Sequence, residues 1–259
     1  SSHSRGASWH LGAARRRRVS PPGWFRLPAR PTVVPTVTSA PPDGWNPDQY
    51  ERFKTERQLP FVDLLALVHA APGMRVVDLG CGTGELTRRL HASLPAATTT
   101  GVDRSAAMLD RAEATHGCTF VRADLADYRP DHALDLVFSN AALHWLPDHP
   151  AVWARISQFL APHGQLAVQM PTNHDHPSHT VAAAVAAEAP FADALGGYRY
   201  VSPVLAPEDY ATLLAQLGYR EQHVRLQVYT HWLASRDEVV EWVRGTLLTD
   251  YLTRLPPPL

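Results

Sequence analysis

Several ingredients are scarce in this chain of 259 residues, and each scarcity narrows its function. There are two cysteines, Cys81 and Cys118, so no disulfide framework exists; a reducing compartment, the cytoplasm, is the expected location. Neither sign of charge dominates, with 24 basic against 25 acidic residues, so no strong field recruits nucleic acid or a membrane surface. Lysine is almost absent, Lys54 being the only one. No apolar run is long enough to span a bilayer. Acidic residues are missing from the first 42 positions, which hold the run Arg15 to Arg18 and prolines at 21, 22, 28, 31, 35, 41 and 42. Residues 1–42 therefore read as a disordered Arg/Pro-rich tail, since those prolines forbid a long helix.

What is present is concentrated in one stretch. Val76-Val77-Asp78-Leu79 is a short apolar strand, and Gly80-Cys81-Gly82-Thr83-Gly84 is a glycine-rich turn after it. A helix from Glu85 follows, and Thr100-Gly101-Val102-Asp103 is a second strand that ends in an acid. Glycines here let the chain turn sharply and let a ligand lie against bare backbone. The next helix turns its N-terminal N–H groups toward that ligand. Asp103 offers the acceptor lone pairs that two ribose hydroxyls require. The spacing is G-x-G-x-G; in the dinucleotide pattern G-x-G-x-x-G the third glycine would fall on Glu85, an acid that repels pyrophosphate. The loop thus favours a nucleoside without phosphates, and S-adenosylmethionine fits.

The rest of the chain continues the rhythm. Helices are expected near Phe53–Arg57 and Phe61–His69, and strands at Thr98–Val102, Thr119–Val121, Leu134–Phe138 and Gln165–Met170, with a helix from about His149 to Leu160. Apolar strands alternating with helices imply an α/β fold with a doubly wound, mostly parallel sheet. The rhythm breaks at about 171–206, which reads as a helical lid over the carboxyl ends of the strands. A helix at Pro207–Leu217, a strand at Val224–Tyr229 and a helix at Asp237–Leu248 follow; 234–259 reads as a second lid insertion in a domain spanning 43–259.

These segments resemble the class I S-adenosylmethionine-dependent methyltransferases, with their Rossmann-like fold, and within them the trans-aconitate 2-methyltransferase family. The likeness rests on WNPDQY (45–50), VVDLGCGTG (76–84), GVD (101–103) with Met108-Leu109, FSNAALHWLPDHP (138–150), LAVQMP (166–171), PSH (177–179), PEDY (207–210) and VVEWVRGT (239–246). It implies that Asp78, Gly80, Cys81 and Gly82 cradle the methionine part and that Asp103 holds the ribose, with Arg104 beside the adenine and Met108 also in the cofactor site. Asp124 and Leu125 then meet the adenine, Asn140 the methionine amino end, and Gln49, Tyr50 and Arg57 close from the N-terminal side. The family also has a last strand, antiparallel, between the fifth strand and the Val224–Tyr229 strand. No strand-like segment follows residue 233 here, so that strand is expected to be missing.

Methyl transfer to a carboxylate needs no base, because the acceptor is already ionised at neutral pH. It needs cations and hydrogen-bond donors for the acceptor's other carboxylates. Tyr198-Arg199-Tyr200, Arg244, Arg57 and the histidines 174, 176 and 179 are candidates, with Trp145 as an apolar wall. His144 is the candidate base should the acceptor be a hydroxyl or amine. Loop histidines beside Pro177 lack the spacing of a helical ligand pair, so no metal is expected. The expected activity is esterification of a small polycarboxylic acid by a monomer or homodimer. The alternatives are an O- or N-methyltransferase of a secondary metabolite, and a protein that binds the cofactor without turnover.

Overall fold

A computed structural model describes residues 3–16, 54–233, 235–244 and 246–257, with side chains described from residue 58 onward. Its framework is a seven-stranded sheet. The strands are β1 (His3–Arg16), β2 (Met74–Leu79), β3 (Ala96–Asp103), β4 (Cys118–Arg122), β5 (Leu134–Asn140), β6 (Leu160–Pro171) and β7 (Tyr219–Trp232), in the order β4-β3-β2-β5-β6-β1-β7. From β4 to β6 all neighbours are parallel. This agrees with the expected doubly wound α/β sheet, and strand ends differ from expectation by a few residues.

Local chemistry sets the helices. Among the described residues α1 is Lys54–Leu65, a single helix with Pro60 inside where two were expected. Helix α2 (Glu85–Ser93) starts directly after Gly84, whose φ of 73° breaks the strand direction. The Ser105 hydroxyl accepts from the Met108 amide at 3.2 Å and starts the short α3 (Ala106–Leu109). Asp148 caps α4 (His149–Ser157), with Pro150 in the first turn, where a missing N–H costs nothing. Then come α5 (Pro177–Ala186), α6 (Phe191–Ala194), α7 (Pro207–Gln216), α8 (Arg236–Arg244) and α9 (Leu247–Leu252).

Both faces of the central strands β2, β5 and β6 are buried. One face packs Val77, Val137, Leu166 and Val168 against Trp153, Ile156, Tyr210 and Leu214 from α4 and α7. The opposite face packs Val76, Phe138 and Ala167 against Phe61 and Leu64 of α1 and Leu90 of α2. The Phe61 and Phe138 rings meet edge to face at 5.5 Å, and a fully buried ring of this size contributes about 1.5–3 kcal/mol. The two expected lid insertions join in a third, separate cluster of Leu195, Val243, Leu247 and Tyr251, with Phe191, Tyr198, Tyr200 and Trp242 against it.

The N-terminal segment corrects the sequence reading. Residues 3–16 are not a disordered tail: they form a 14-residue strand, antiparallel to both β6 and β7. Ser8 faces Pro171 on one side and Gln227 on the other, and Arg15 faces Gln165 and Glu221. The interior position expected to be vacant is thus filled from the other end of the chain. No strand occurs among the described residues after Trp232. The physical reason is backbone satisfaction: without β1, facing N–H and C=O groups of β6 and β7 would lack partners. The sequence did carry a sign, for no proline precedes Pro21 and the strand ends at Arg16. No helix among the described residues is long and apolar enough to cross a membrane.

Candidate active site

At the carboxyl end of β2 the glycine turn is held to β3 by backbone bonds, Gly80 N–H to Val102 O at 2.8 Å and Cys81 N–H to Val102 O at 3.1 Å. Its three glycines have different reasons to be there. A Cβ on Gly80 (φ 81°) would lie 2.1 Å from the Ala142 Cβ, and one on Gly84 (φ 73°) would lie 2.5 Å from the Phe120 ring, so both are demanded by packing. Gly82 (φ 55°) meets nothing within 4 Å and lies beside open space. That is the cradle a nucleoside ligand needs.

Asp103 fixes the loop from β3. One carboxylate oxygen accepts from the Gly82 amide and the other from the Ser105 amide, both at 2.9 Å. Each oxygen keeps a lone pair, enough for two vicinal hydroxyls. Asp78 is buried and receives the Thr87 hydroxyl at 2.6 Å. Burial raises its carboxyl to about 7, against the Thr87 hydrogen bond and with help from Asp103. Burial also holds the Cys81 thiol protonated, and Asp78 and Asp103 add to that effect.

Across β3, Arg104 is exposed and Met108 buried. Asp124 is exposed, and one oxygen accepts from Ala126 N at 2.8 Å in a tight turn, leaving the other for an exocyclic amine. Arg155 donates to the Leu125 and Tyr128 carbonyls and so pins the half-buried Leu125 beside Gly80. Asn140 closes β5, and its side-chain oxygen is buried with no protein partner. The chain then turns through Ala141, whose positive φ of 54° is uncommon outside glycine. Gln49 and Tyr50 lie outside the described residues; Arg57 falls in α1, and its side chain is likewise not described.

Beyond Ala141 a 3₁₀ turn, Leu143–Trp145, carries His144 and Trp145 with their rings 4.6 Å apart. His144 is buried, its Nδ1 has no partner, and burial next to His149 lowers its pKa to about 3. At neutral pH it is an uncharged and weakly basic imidazole. Sequence reasoning missed what holds this turn. His149 Nε2 lies 3.2 Å from the Leu143 carbonyl, which can only accept, so Nε2 carries the proton. Nδ1 then accepts from the Tyr210 hydroxyl, whose oxygen accepts from Leu205 N–H at 3.1 Å. The His of WLPDHP and the Tyr of PEDY thus tie the site turn to α7 through a satisfied buried relay. Burial lowers His149 to about 4, in keeping with a neutral ring.

The candidate substrate residues do not form one cluster. Tyr198 and Tyr200 pack into the outer helical cluster, where the Tyr198 hydroxyl bonds the Asp250 carboxylate and the Arg254 guanidinium covers its ring at 3.9 Å. Arg199, between them, is exposed. Arg244 is exposed on α8, with its Nε 3.3 Å from the Glu241 carboxylate. His176 caps α5 and joins Ser178 and His179 in a hydrogen-bonded chain, 2.9 and 3.1 Å, with His174 exposed nearby. Burial, with His176 and His174, lowers His179 to about 4. No cluster of potential metal ligands occurs among the described residues.

The comparisons with known proteins agree with this geometry. A methyltransferase domain family matches residues 76–164, from β2 through β5 and α4 into the start of β6. Trans-aconitate 2-methyltransferase of Deinococcus radiodurans is 46% identical over 219 residues, 82% of this chain and 83% of that protein. The proteins of the same name from Variovorax paradoxus and Klebsiella pneumoniae are 43% and 41% identical, over 83% and 82% of this chain and 84% and 81% of theirs. On these relatives, the chain belongs to the trans-aconitate 2-methyltransferase family of S-adenosylmethionine-dependent methyltransferases.

Proposed function

We propose that this methyltransferase esterifies one carboxylate of trans-aconitate or a closely related small polycarboxylic acid, giving a monomethyl ester and S-adenosylhomocysteine. Asp78, Gly80, Cys81, Gly82 and Asn140 hold the methionine end, Asp103 the ribose, and Asp124 with Leu125 the adenine; bound there, S-adenosylmethionine supplies the electrophilic methyl group. The acceptor enters beside His144 and Trp145, with Arg199, His174 and Arg57 as the cations and donors available to its remaining carboxylates.

The observation that carries the acceptor class is 41–46% identity to trans-aconitate 2-methyltransferases over about four-fifths of the chain, and it is joined by the setting of His144. His144 is the titratable side chain in the turn after β5, and its burial leaves it too weakly basic to strip a hydroxyl or an ammonium at neutral pH. A carboxylate asks for no proton transfer. His144 then shapes the pocket, and His144→Ala keeps carboxylate methylation within about tenfold, as expected for a residue outside acid–base catalysis. A thousandfold loss with cofactor affinity intact would instead favour an acceptor that must be deprotonated. Balanced charge on a chain of 24 basic and 25 acidic residues supports a small-molecule acceptor over nucleic acid; the two-cysteine composition fits a cytoplasmic protein, proposed to act as a monomer or homodimer.

A further inference from the structure

Two glutamines of β6 stand on the same sheet face, and they differ. Gln165 is fully engaged: its amide donates to the His69 carbonyl at 2.7 Å and accepts from the His69 N–H at 2.8 Å. Gln169 is 2% exposed, yet its side-chain oxygen has no protein partner. A buried acceptor left without a donor destabilises the fold, so an external donor is the simplest account of its retention.

Register says where that oxygen stands. Val76, Phe138 and Ala167 share the core under α1 and α2. Phe138 is the Cα partner of both Asp78 and Ala167, and Asn140 is the partner of Gln169. Residues two apart on a strand share a face. Asp78, Asn140 and Gln169 therefore stand on one face at the carboxyl ends of three adjacent strands. The backbone locks the last pair, since Ala141 N–H donates to the Gln169 carbonyl at 2.9 Å. Asn140 and Gln169 both present buried, unpartnered amide oxygens.

A pair of orphan acceptors selects its ligand by what can donate. An ionised polycarboxylate has no donor, so it cannot be that ligand; this step rests on the proposed acceptor class. S-adenosylmethionine offers ribose hydroxyls, an adenine amine and an α-ammonium. The first two belong with Asp103 and Asp124, on the β3 and β4 side of the cradle. We infer that Gln169 is a cofactor-binding residue, and that its side-chain oxygen shares the α-ammonium of S-adenosylmethionine with Asn140.

Calorimetry with two ligands isolates the contact. S-adenosylhomocysteine carries the α-ammonium; 5′-deoxy-5′-methylthioadenosine has the same nucleoside and thioether without the amino acid. Gln169→Leu should weaken S-adenosylhomocysteine about tenfold or more, the worth of one charge-assisted hydrogen bond, and leave methylthioadenosine within about twofold. Gln169→Glu, which keeps an acceptor oxygen there, should hold S-adenosylhomocysteine within about threefold or tighten it. Equal losses for both ligands in Gln169→Leu, no loss for either, or a tenfold loss in Gln169→Glu would overturn the assignment. Failure of the carboxylate reading would show in acceptor turnover and leave these affinities unmoved.

Discussion

Asp103 holds the Gly82 and Ser105 amides with its two carboxylate oxygens, and in the proposed function its remaining lone pairs go to the ribose. Asp103→Ala should therefore weaken S-adenosylmethionine at least about tenfold by calorimetry, since a charge-assisted contact and the loop anchor go together; an unchanged affinity would remove Asp103 from the site. Asp78 adds a pH dependence. Its folded pKa is raised, from 3.8 to about 7. Below pH 4 both folded and unfolded chains hold this proton; between about 4 and 7 only the unfolded chain releases it, so its contribution to stability falls with rising pH and the penalty is complete above 7. A cationic cofactor reverses that preference by favouring the carboxylate. Affinity for S-adenosylmethionine should then fall as pH drops below about 7, approaching tenfold per unit, and Asp78→Asn should flatten the curve. A wild-type affinity constant from pH 5 to 8 would contradict this. Glycines and Asp103 were legible in the sequence because their backbone geometry and charge follow from residue type. The raised pKa of Asp78 was not, because it comes from burial contributed by other elements.

Among the elements, β1 teaches the most. Its arginine run and the prolines after it read as a tail, yet the strand lies between β6 and β7 with a register running from His3 to Arg16. Composition reports what a segment could do alone; it does not report that two other strands offer facing rows of hydrogen-bonding groups. Deleting residues 3–16 should expose one long edge on β6, detach β7 from the sheet, and lower the melting temperature by well over about 10 °C or abolish soluble expression, since losing a central strand removes many paired backbone groups. Unchanged cooperative melting of the shortened chain would contradict this topology. The parallel strands were legible because their apolar runs are bounded by turn residues. The His149–Tyr210 relay was not, because its partners stand 61 residues apart and meet only through packing of α4 on α7. Helices α8 and α9, expected as one, are separate, and they carry Val243, Leu247 and Tyr251 into the outer cluster.

At the scale of the whole molecule, the parallel strands β2, β3 and β5 bring the candidate cofactor cradle together at their carboxyl ends, and a separately packed helical cluster holds most of the expected lid aromatics. The cradle is built from one contiguous stretch and one following strand, which is why the methyl donor could be read early. The acceptor pocket is assembled from distant segments, and its expected cations Arg199 and Arg244 are exposed side chains rather than a convergent set. The acceptor class therefore rests on the family and on the weak basicity of His144. The most direct test is transfer of labelled methyl from S-adenosylmethionine to a panel of trans-aconitate, related di- and tricarboxylic acids, phenols and amines. A single alkali-labile methyl ester, formed fastest on trans-aconitate or its nearest analogue, is the expected product. Label delivered to phenols or amines, with none in any carboxylic acid, would contradict this expectation.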